Sequence, residues 1–203
     1  MKTSIKTIIA VTLTTIALTI GSQTTFAADG EKITTLYEAK KVNKINVSGN
    51  VELILVQSNE ESVKVYDEYY SKNALIQQKD GELRISSFDQ KRLTVVVYAN
   101  NLTTITAANN ASVKTRGTWN ALTLAVNLSD NATASLNTNT IDLNTDISGI
   151  AKLTLNGRTE NYMGSMGSFA KVNMEQFVAE TKIIQSKNTA IAKINTYPVL
   201  TLP

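Results

Sequence analysis

Apolar residues along this chain recur at every second position, not at the three-to-four spacing of a helix. Val51, Leu53 and Leu55 skip by two, as do Val63 and Val65, and again Leu83 and Ile85. That alternation marks strands with one face buried. No apolar stripe of helical period is sustained over several turns. The region from about Val42 to Tyr98 therefore predicts a set of strands with hairpin turns. Ala74 to Gln78 and Glu82 to Ser87 flank Lys79-Asp80-Gly81, where Asp-Gly supplies the positive φ angles of a tight hairpin. Leu93 to Val97 is strongly apolar, with Thr94 alone intervening, which predicts burial on both faces.

From Asn100 onward the alternation becomes a repeat. Five triplets begin with a small residue and continue at period two: Ala111, Val113, Thr115; Ala132, Ala134, Leu136; Ala151, Leu153, Leu155; Ala170, Val172, Met174; and Ala190, Ala192, Ile194. The leading alanines are 21, 19, 19 and 20 residues apart. An early copy, Val51, Leu53, Leu55, lies three such periods before Ala111. Each triplet follows a short polar turn: Asn109-Asn110, Ser129-Asp130-Asn131, Ser148-Gly149, Gly167-Ser168 and Ser186-Lys187-Asn188, with Ser48-Gly49-Asn50 ahead of the early copy. Gly, Asn and Asp tolerate left-handed backbone angles, so a corner repeated at one place in a coil selects them. Before the turns lie further short strands: Leu102 to Thr106, Leu122 to Val126, Ile141 to Asn144 and Val178 to Ile183. Two short strands and a corner about every 20 residues predict one coil of a parallel β-solenoid, each coil stacking on the next. Five such coils form a stack roughly 24 Å tall at the ordinary interstrand distance. An antiparallel meander with similarly spaced turns is the alternative.

The order of these elements resembles the autotransporter adhesin head domain known as the GIN domain. The resemblance rests on Ile-x-Val-Ser-Gly-x-Val from Ile45 to Val51, on Asp-Gly-x-Leu-x-Ile from Asp80 to Ile85, and on the repeated turns before short strands. It covers roughly Val42 to Tyr197. What it implies is an exported bacterial protein with a right-handed β-helical fold, no recognised catalytic residues, and a role in adhesion or envelope interaction. The corners here carry Asn or Asp where that family favours Gly-Ser-Gly, and Tyr197-Pro198 matches its ending only in part.

The first residues change the picture of charge and destination. Lys2 and Lys6 precede an apolar stretch from Ile8 to Ile20, and Thr25-Phe26-Ala27-Ala28 offers a small-residue cleavage site. This is the pattern of an export signal spanning residues 1–27, and the apolar stretch is shorter than the roughly 20 residues of a spanning helix. Its removal takes away two of the 20 bases and none of the 17 acids. The near-neutral mature chain, 28–203, is expected to bind no nucleic acid and to carry no membrane span. Within it, 42–100 is read as an N-terminal portion of strands and a hairpin, and 101–203 as the solenoid repeats of one all-β domain. The destination is the periplasm or the cell surface.

Candidate chemistry is thin. The chain has no Cys and no His, which excludes disulfides, a lipidated cysteine, most zinc sites and His-dependent catalytic triads. Asp130, Asp142 and Asp146 could gather to hold calcium through carboxylate oxygens, but they are sparse and read better as solvated turn acids. Asp142, Asp146, Lys152 and Arg158 are the candidates for a polysaccharide-active enzyme. Lys152, Lys171 and Lys193, however, sit in near-equivalent repeat positions and point to a solvated face. No metal and no cofactor is expected. Tyr66, Tyr69 and Tyr70 form an aromatic cluster suited to a sugar or a protein partner, and Trp119 and Tyr162 could extend that surface; the competing reading has these rings capping the end of the stack. Recurrent Asn and Thr predict side-chain ladders between coils. The function expected is non-catalytic binding of a glycan or a surface protein, with a polysaccharide-active enzyme or an end-to-end structural assembly as the alternatives.

Overall fold

The computed structural model describes residues 34–36, 41–66 and 74–187. Among these there are strands and turns only, as the alternating pattern requires. The thirteen strands are β1 (Thr34–Leu36), β2 (Lys44–Gly49), β3 (Val51–Gln57), β4 (Ser62–Tyr66), β5 (Ala74–Lys79), β6 (Glu82–Ser87), β7 (Leu93–Ala99), β8 (Thr104–Ala108), β9 (Ser112–Arg116), β10 (Trp119–Leu128), β11 (Thr133–Ile147), β12 (Lys152–Gly167) and β13 (Lys171–Lys187). They form one sheet that curls back on itself, because the long β11 pairs with β9 at its start and with β10 through most of its length.

The triplets stack in parallel. Val113 pairs with Ala134, Ala134 with Leu153, and Leu153 with Val172, so each triplet lies beside the one that follows it in the repeat. The early copy joins the same column, Leu53 pairing with Val113. The alanines at the corners are linked through the backbone: Thr133 N–H donates to Ala111 O (2.9 Å), Lys152 N–H to Ala132 O (3.0 Å) and Lys171 N–H to Ala151 O (3.0 Å). A parallel ladder places like positions directly above one another, so small residues stack on small ones where the chain turns most tightly. The triplet Ala190, Ala192, Ile194 lies outside the described residues, as do the segments read as an export signal and as the chain's ending.

The corners take the predicted conformation. Asn109, Asp130 and Gly149 occupy equivalent turn positions with φ of 59°, 58° and 65°. Each turn is closed by a bond from the following alanine, for example Ala132 N–H to Ser129 O at 3.0 Å. Asn and Asp can hold αL angles at modest cost, which is why they replace glycine here without changing the path of the chain.

The strands between 42 and 100 enter the stack and do not stand apart as hairpins alone. β2 pairs in parallel with β6 and β8, and β3 with β7 and β9. The segment 82–99 therefore lies outside 44–57, against chain order. The expected hairpin is present: β5 and β6 are antiparallel, Lys79 opposite Glu82, with Asp80 (φ 51°) and Gly81 (φ 78°) as the two turn residues. β4 lies antiparallel on β7, and β1 on β4. These antiparallel strands cover one edge of the stack, which an open edge requires if it is not to recruit other chains. Leu93, Val95 and Val97 are buried, and so is the intervening Val96 at 4% exposure, so the run Val95 to Val97 is covered on both faces, whereas Thr94 is half-buried.

The core runs the length of the stack as columns such as Leu55, Leu136 and Leu155 in one face and Ile45, Ile105 and Val126 in the other. Bends between the faces bring backbones close together. At Gly157 (φ 95°) an added Cβ collides with the carbonyl oxygen of Thr138 in the neighbouring strand and comes within 2.9 Å of Asn137 Oδ1. Gly157→Ala is therefore expected to lower stability by about 2 kcal/mol or more, from αL strain plus a backbone contact that cannot relax. The check is a urea unfolding series in which the midpoint falls while the m-value is unchanged.

Candidate binding site

Strict alternation fails at one place in each of three successive strands, and a groove forms there. Along β10, Trp119 faces the core, Leu122 and Thr123 both face outward, and Leu124, Val126 and Leu128 face the core again. β11 repeats this at Ile141 and Asp142, and β12 at Glu160 and Asn161. Two successive outward side chains demand a bend, because a straight strand sends neighbours to opposite faces. The bends stack, and the concave flank beside them is an open groove of about 730 Å³.

The groove has a polar column and a mixed column. Asn120, Asn139 and Arg158 are aligned in register. Beside them stand Leu122, Ile141, Glu160 and Glu180 on successive strands, while Gln57, Asn100 and Asn101 close one end. From β10 to β13 the lining spans three interstrand spacings, roughly 14 Å. Leu122 is 75% exposed.

The polar column is held by its own hydrogen bonds. Gln57 Nε2 donates to Asn120 O (2.7 Å) and Gln57 Oε1 accepts from Asn120 N–H (3.0 Å). Asn139 Nδ2 donates to Asn120 Oδ1 (3.1 Å), and Arg158 Nε donates to Asn139 Oδ1 (2.9 Å). Below the surface Thr140 Oγ1 donates to Thr159 Oγ1 at 2.9 Å, inside the core. These are the side-chain ladders expected from the recurrence of Asn and Thr. They fix the carboxamides and the guanidinium in place and present both donors and acceptors to the groove, which is the equipment for recognising a polar ligand without a large ordering penalty.

The sequence-predicted aromatic surface is not assembled by the described residues. Trp119 is 1% exposed and Tyr162 2% exposed, so both rings belong to the core and not to an outer binding face. The reason is the bend: it shifts the in-out phase, so Tyr162 falls in the column of the buried Leu143. Tyr162 packs edge-on against Phe177 with centroids 5.9 Å apart, and its hydroxyl meets Thr145 Oγ1 at 2.7 Å. Gly164, paired with Thr145, leaves room for that ring, since a Cβ there would lie 2.7 Å from the tyrosine oxygen. The Trp119 indole N–H and the Thr138 hydroxyl in the adjoining strand are buried and have no hydrogen-bond partner among the described residues. Tyr66 is half-buried on β4, at the antiparallel edge. Tyr69 and Tyr70 lie outside the described residues.

The acid and base candidates are likewise dispersed. Asp142 Oδ1 accepts from Asn161 Nδ2 (2.9 Å), Asp146 pairs with Lys187 (2.6 Å), and the Asp130 carboxylate accepts from the Asn109 N–H (3.1 Å). Of the four residues considered for catalysis, Arg158 lines the groove, whereas Asp142, Asp146 and Lys152 do not. Lys152 and Lys171 are paired in register and exposed, as their outward repeat position requires. Among the described residues no three acids gather as a metal-binding group. What the alternation missed is Leu122, Ile141, Glu160 and Glu180. Their recurrence once per repeat period carries the signal, because a column running from apolar to acidic has to face outward.

The described residues thus form a curled all-β sheet with a polar groove on its flank. The chain belongs to the family described as "Putative auto-transporter adhesin, head GIN domain", whose model matches residues 41–200. The expected family is thus the observed one. No curated protein matches the chain. Similar solved structures include a "putative adhesin" from Bacteroides fragilis (16% identity, TM-score 0.67, covering 77% of each chain). A second "putative adhesin", from Parabacteroides distasonis, is 19% identical with a TM-score of 0.58, covering 77% of this chain and 79% of that one. A "putative lipid binding protein" from the same species is 12% identical with a TM-score of 0.55, covering 78% and 79%. At these identities the likeness concerns the fold. No helix among the described residues is long and apolar enough to cross a membrane.

Two expectations follow. Removing the central carboxamide, Asn139→Ala, breaks both ladder bonds on an exposed flank and is expected to cost about 1 kcal/mol, read from the urea midpoint. Burial raises the Tyr162 phenol above its ordinary value of 10.0, opposed by the hydrogen bond with Thr145. The folded chain then holds the phenolic proton more tightly than the unfolded chain. This group's contribution to stability is therefore intact below about pH 10 and declines as the pH rises past it. The decline in the wild-type unfolding midpoint above pH 10 is expected to be shallower in Tyr162→Phe.

Proposed function

We propose that this is an exported, non-catalytic binding protein of the bacterial envelope or surface, a right-handed β-solenoid whose groove takes a glycan. The observation that supports this most directly is the continuous column Gln57, Asn120, Asn139 and Arg158 along the groove, locked by hydrogen bonds between strands. A sugar chain presents hydroxyls that donate and accept, with apolar ring faces between them. Carboxamides, a guanidinium and the flanking Leu122 and Ile141 match that mixture. The parallel register of successive repeats supports the solenoid reading, and the apolar segment Ile8 to Ile20 supports export. The aromatic cluster Tyr66, Tyr69 and Tyr70 stands as a separate candidate contact.

One observation favours a second reading. Glu160 and Glu180 line the same groove on adjacent strands, and a pair of carboxylates is the equipment of a glycosidase. Release of reducing sugar that is lost in both Glu160→Gln and Glu180→Gln would establish that reading in place of simple binding.

The binding proposal is tested on a glycan array with the purified mature chain, Arg158→Ala and Asn120→Ala. Wild type is expected to retain a polysaccharide class that each variant binds at least about tenfold more weakly, a difference of about 1.4 kcal/mol. If wild type binds no glycan, or if both variants bind as wild type does, the groove is not the site.

A further inference from the structure

Successive repeats provide an internal comparison for each surface position. Four turns close with the same bond, from Ala111 N–H to Ala108 O, Ala132 N–H to Ser129 O, Ala151 N–H to Ser148 O and Ala170 N–H to Gly167 O, at 3.0 to 3.4 Å. The residues before these alanines, Asn110, Asn131, Ile150 and Phe169, are therefore equivalent. All four are exposed, Ile150 at 55% and Phe169 at 76%. The two carboxamides bond to each other, Asn131 Nδ2 donating to Asn110 Oδ1 at 3.0 Å. This turn thus accepts a polar side chain, and the fold requires neither the isoleucine nor the phenylalanine.

The first outward position after each alanine changes at the same step. Ser112 pairs with Thr133, Thr133 with Lys152, and Lys152 with Lys171. The two lysines are exposed and stand one interstrand spacing apart, about 4.8 Å. Among the described residues neither has an ion-pair partner. Like charges side by side on a sheet are unfavourable, and an anionic partner removes that repulsion. Where the earlier repeats carry Asn with Ser or Thr, the later two carry an apolar pair beside a cationic pair.

The far end of the same row of turns is similar in composition. The turn 88–92 stands beside Gly49-Asn50, Asn50 Nδ2 donating to the Gln90 carbonyl. Phe88 is 79% exposed, and the exposed Lys91 and Arg92 follow it. Turns stacked at the interstrand distance form a convex ridge, roughly 24 Å from Phe88 to Phe169, which a flat surface can touch along its length. Asp89 and Asp130 are the acids in these turns, and Lys91, Arg92, Lys152 and Lys171 outnumber them.

Apolar tips beside cations fit a lipid–water interface, where rings enter among the headgroups and ammonium groups meet anionic phosphates. A protein partner fits less well, because lysine is depleted at protein interfaces. A two-fold contact with a second copy would set like-charged patches against each other. We propose that the ridge is a membrane-docking edge, with Phe169, Ile150 and Phe88 resting in the interface of an anionic bilayer and Lys152 and Lys171 against its headgroup phosphates. It shares no residue with the groove, so the inference is independent of what the groove binds.

Cosedimentation with phospholipid vesicles tests it, using the purified mature chain because Ile8 to Ile20 would itself enter lipid. Wild type is expected to bind vesicles containing phosphatidylglycerol at least about tenfold more strongly than vesicles of phosphatidylcholine alone, and less strongly as salt rises. Soluble glycerol phosphate is not expected to compete. Phe169→Asn and Lys171→Thr install the residue types that Asn131 and Thr133 carry at the equivalent positions. Each is expected to weaken binding by about fivefold or more with the urea unfolding midpoint unchanged. Val178→Thr removes an apolar side chain that is 67% exposed but lies nine residues beyond Phe169, and leaves binding as in wild type. The proposal is overturned if wild type does not bind phosphatidylglycerol vesicles, if both ridge variants bind as wild type does, or if glycerol phosphate displaces the vesicles. It is likewise overturned if Phe169→Asn instead abolishes a concentration-dependent self-association, which would assign the ridge to a second copy.

Discussion

The structure depends on one constraint, the backbone register between parallel strands. Once Ala132 O accepts from Lys152 N–H, and Ala151 O from Lys171 N–H, every residue of a strand stands above its counterpart in the previous repeat. A side chain then has to suit the column as well as its own strand. Leucines accumulate in Leu136 and Leu155, small residues at the corners, and carboxamides on the flank. Without cystine or, among the described residues, a metal-binding group, this columnar packing and the interstrand ladder hold the fold together.

The groove follows from the same constraint. Because the strands are in register, the bend at Leu122-Thr123 recurs at Ile141-Asp142 and Glu160-Asn161, and a local kink becomes a continuous concave flank. The ladder from Gln57 to Arg158 joins strands that are distant in sequence. A polar lattice held in this way keeps its donors and acceptors in fixed positions along the flank. Membership of the adhesin head family accords with such a surface.

The ordering of the N-terminal strands shows how the sheet reconciles parallel and antiparallel pairing. The segment 44–57 sits between 82–99 and 104–116, so the chain steps outward before it winds forward. That step leaves β4 and β5 free to turn back antiparallel and cover the outer edge. Local sequence does not encode such an order, because Val51-Leu53-Leu55 presents the same alternation whichever strand lies beside it.

The sequence by itself determined the local and periodic features. Two-residue alternation defined the strands, Asp80-Gly81 the hairpin, Asn109 and Asp130 the left-handed corners, and the spaced alanines which strands stack, because each of these depends on neighbours along the chain or on a repeat distance. Only the tertiary structure decided which side of the bends a residue faces. Trp119 and Tyr162 went inside, and Leu122 outside, because the bend reverses the in-out phase and its position is set by packing between strands. The groove was hidden for the same reason: its residues are ordinary in their own strands and acquire meaning only as a column.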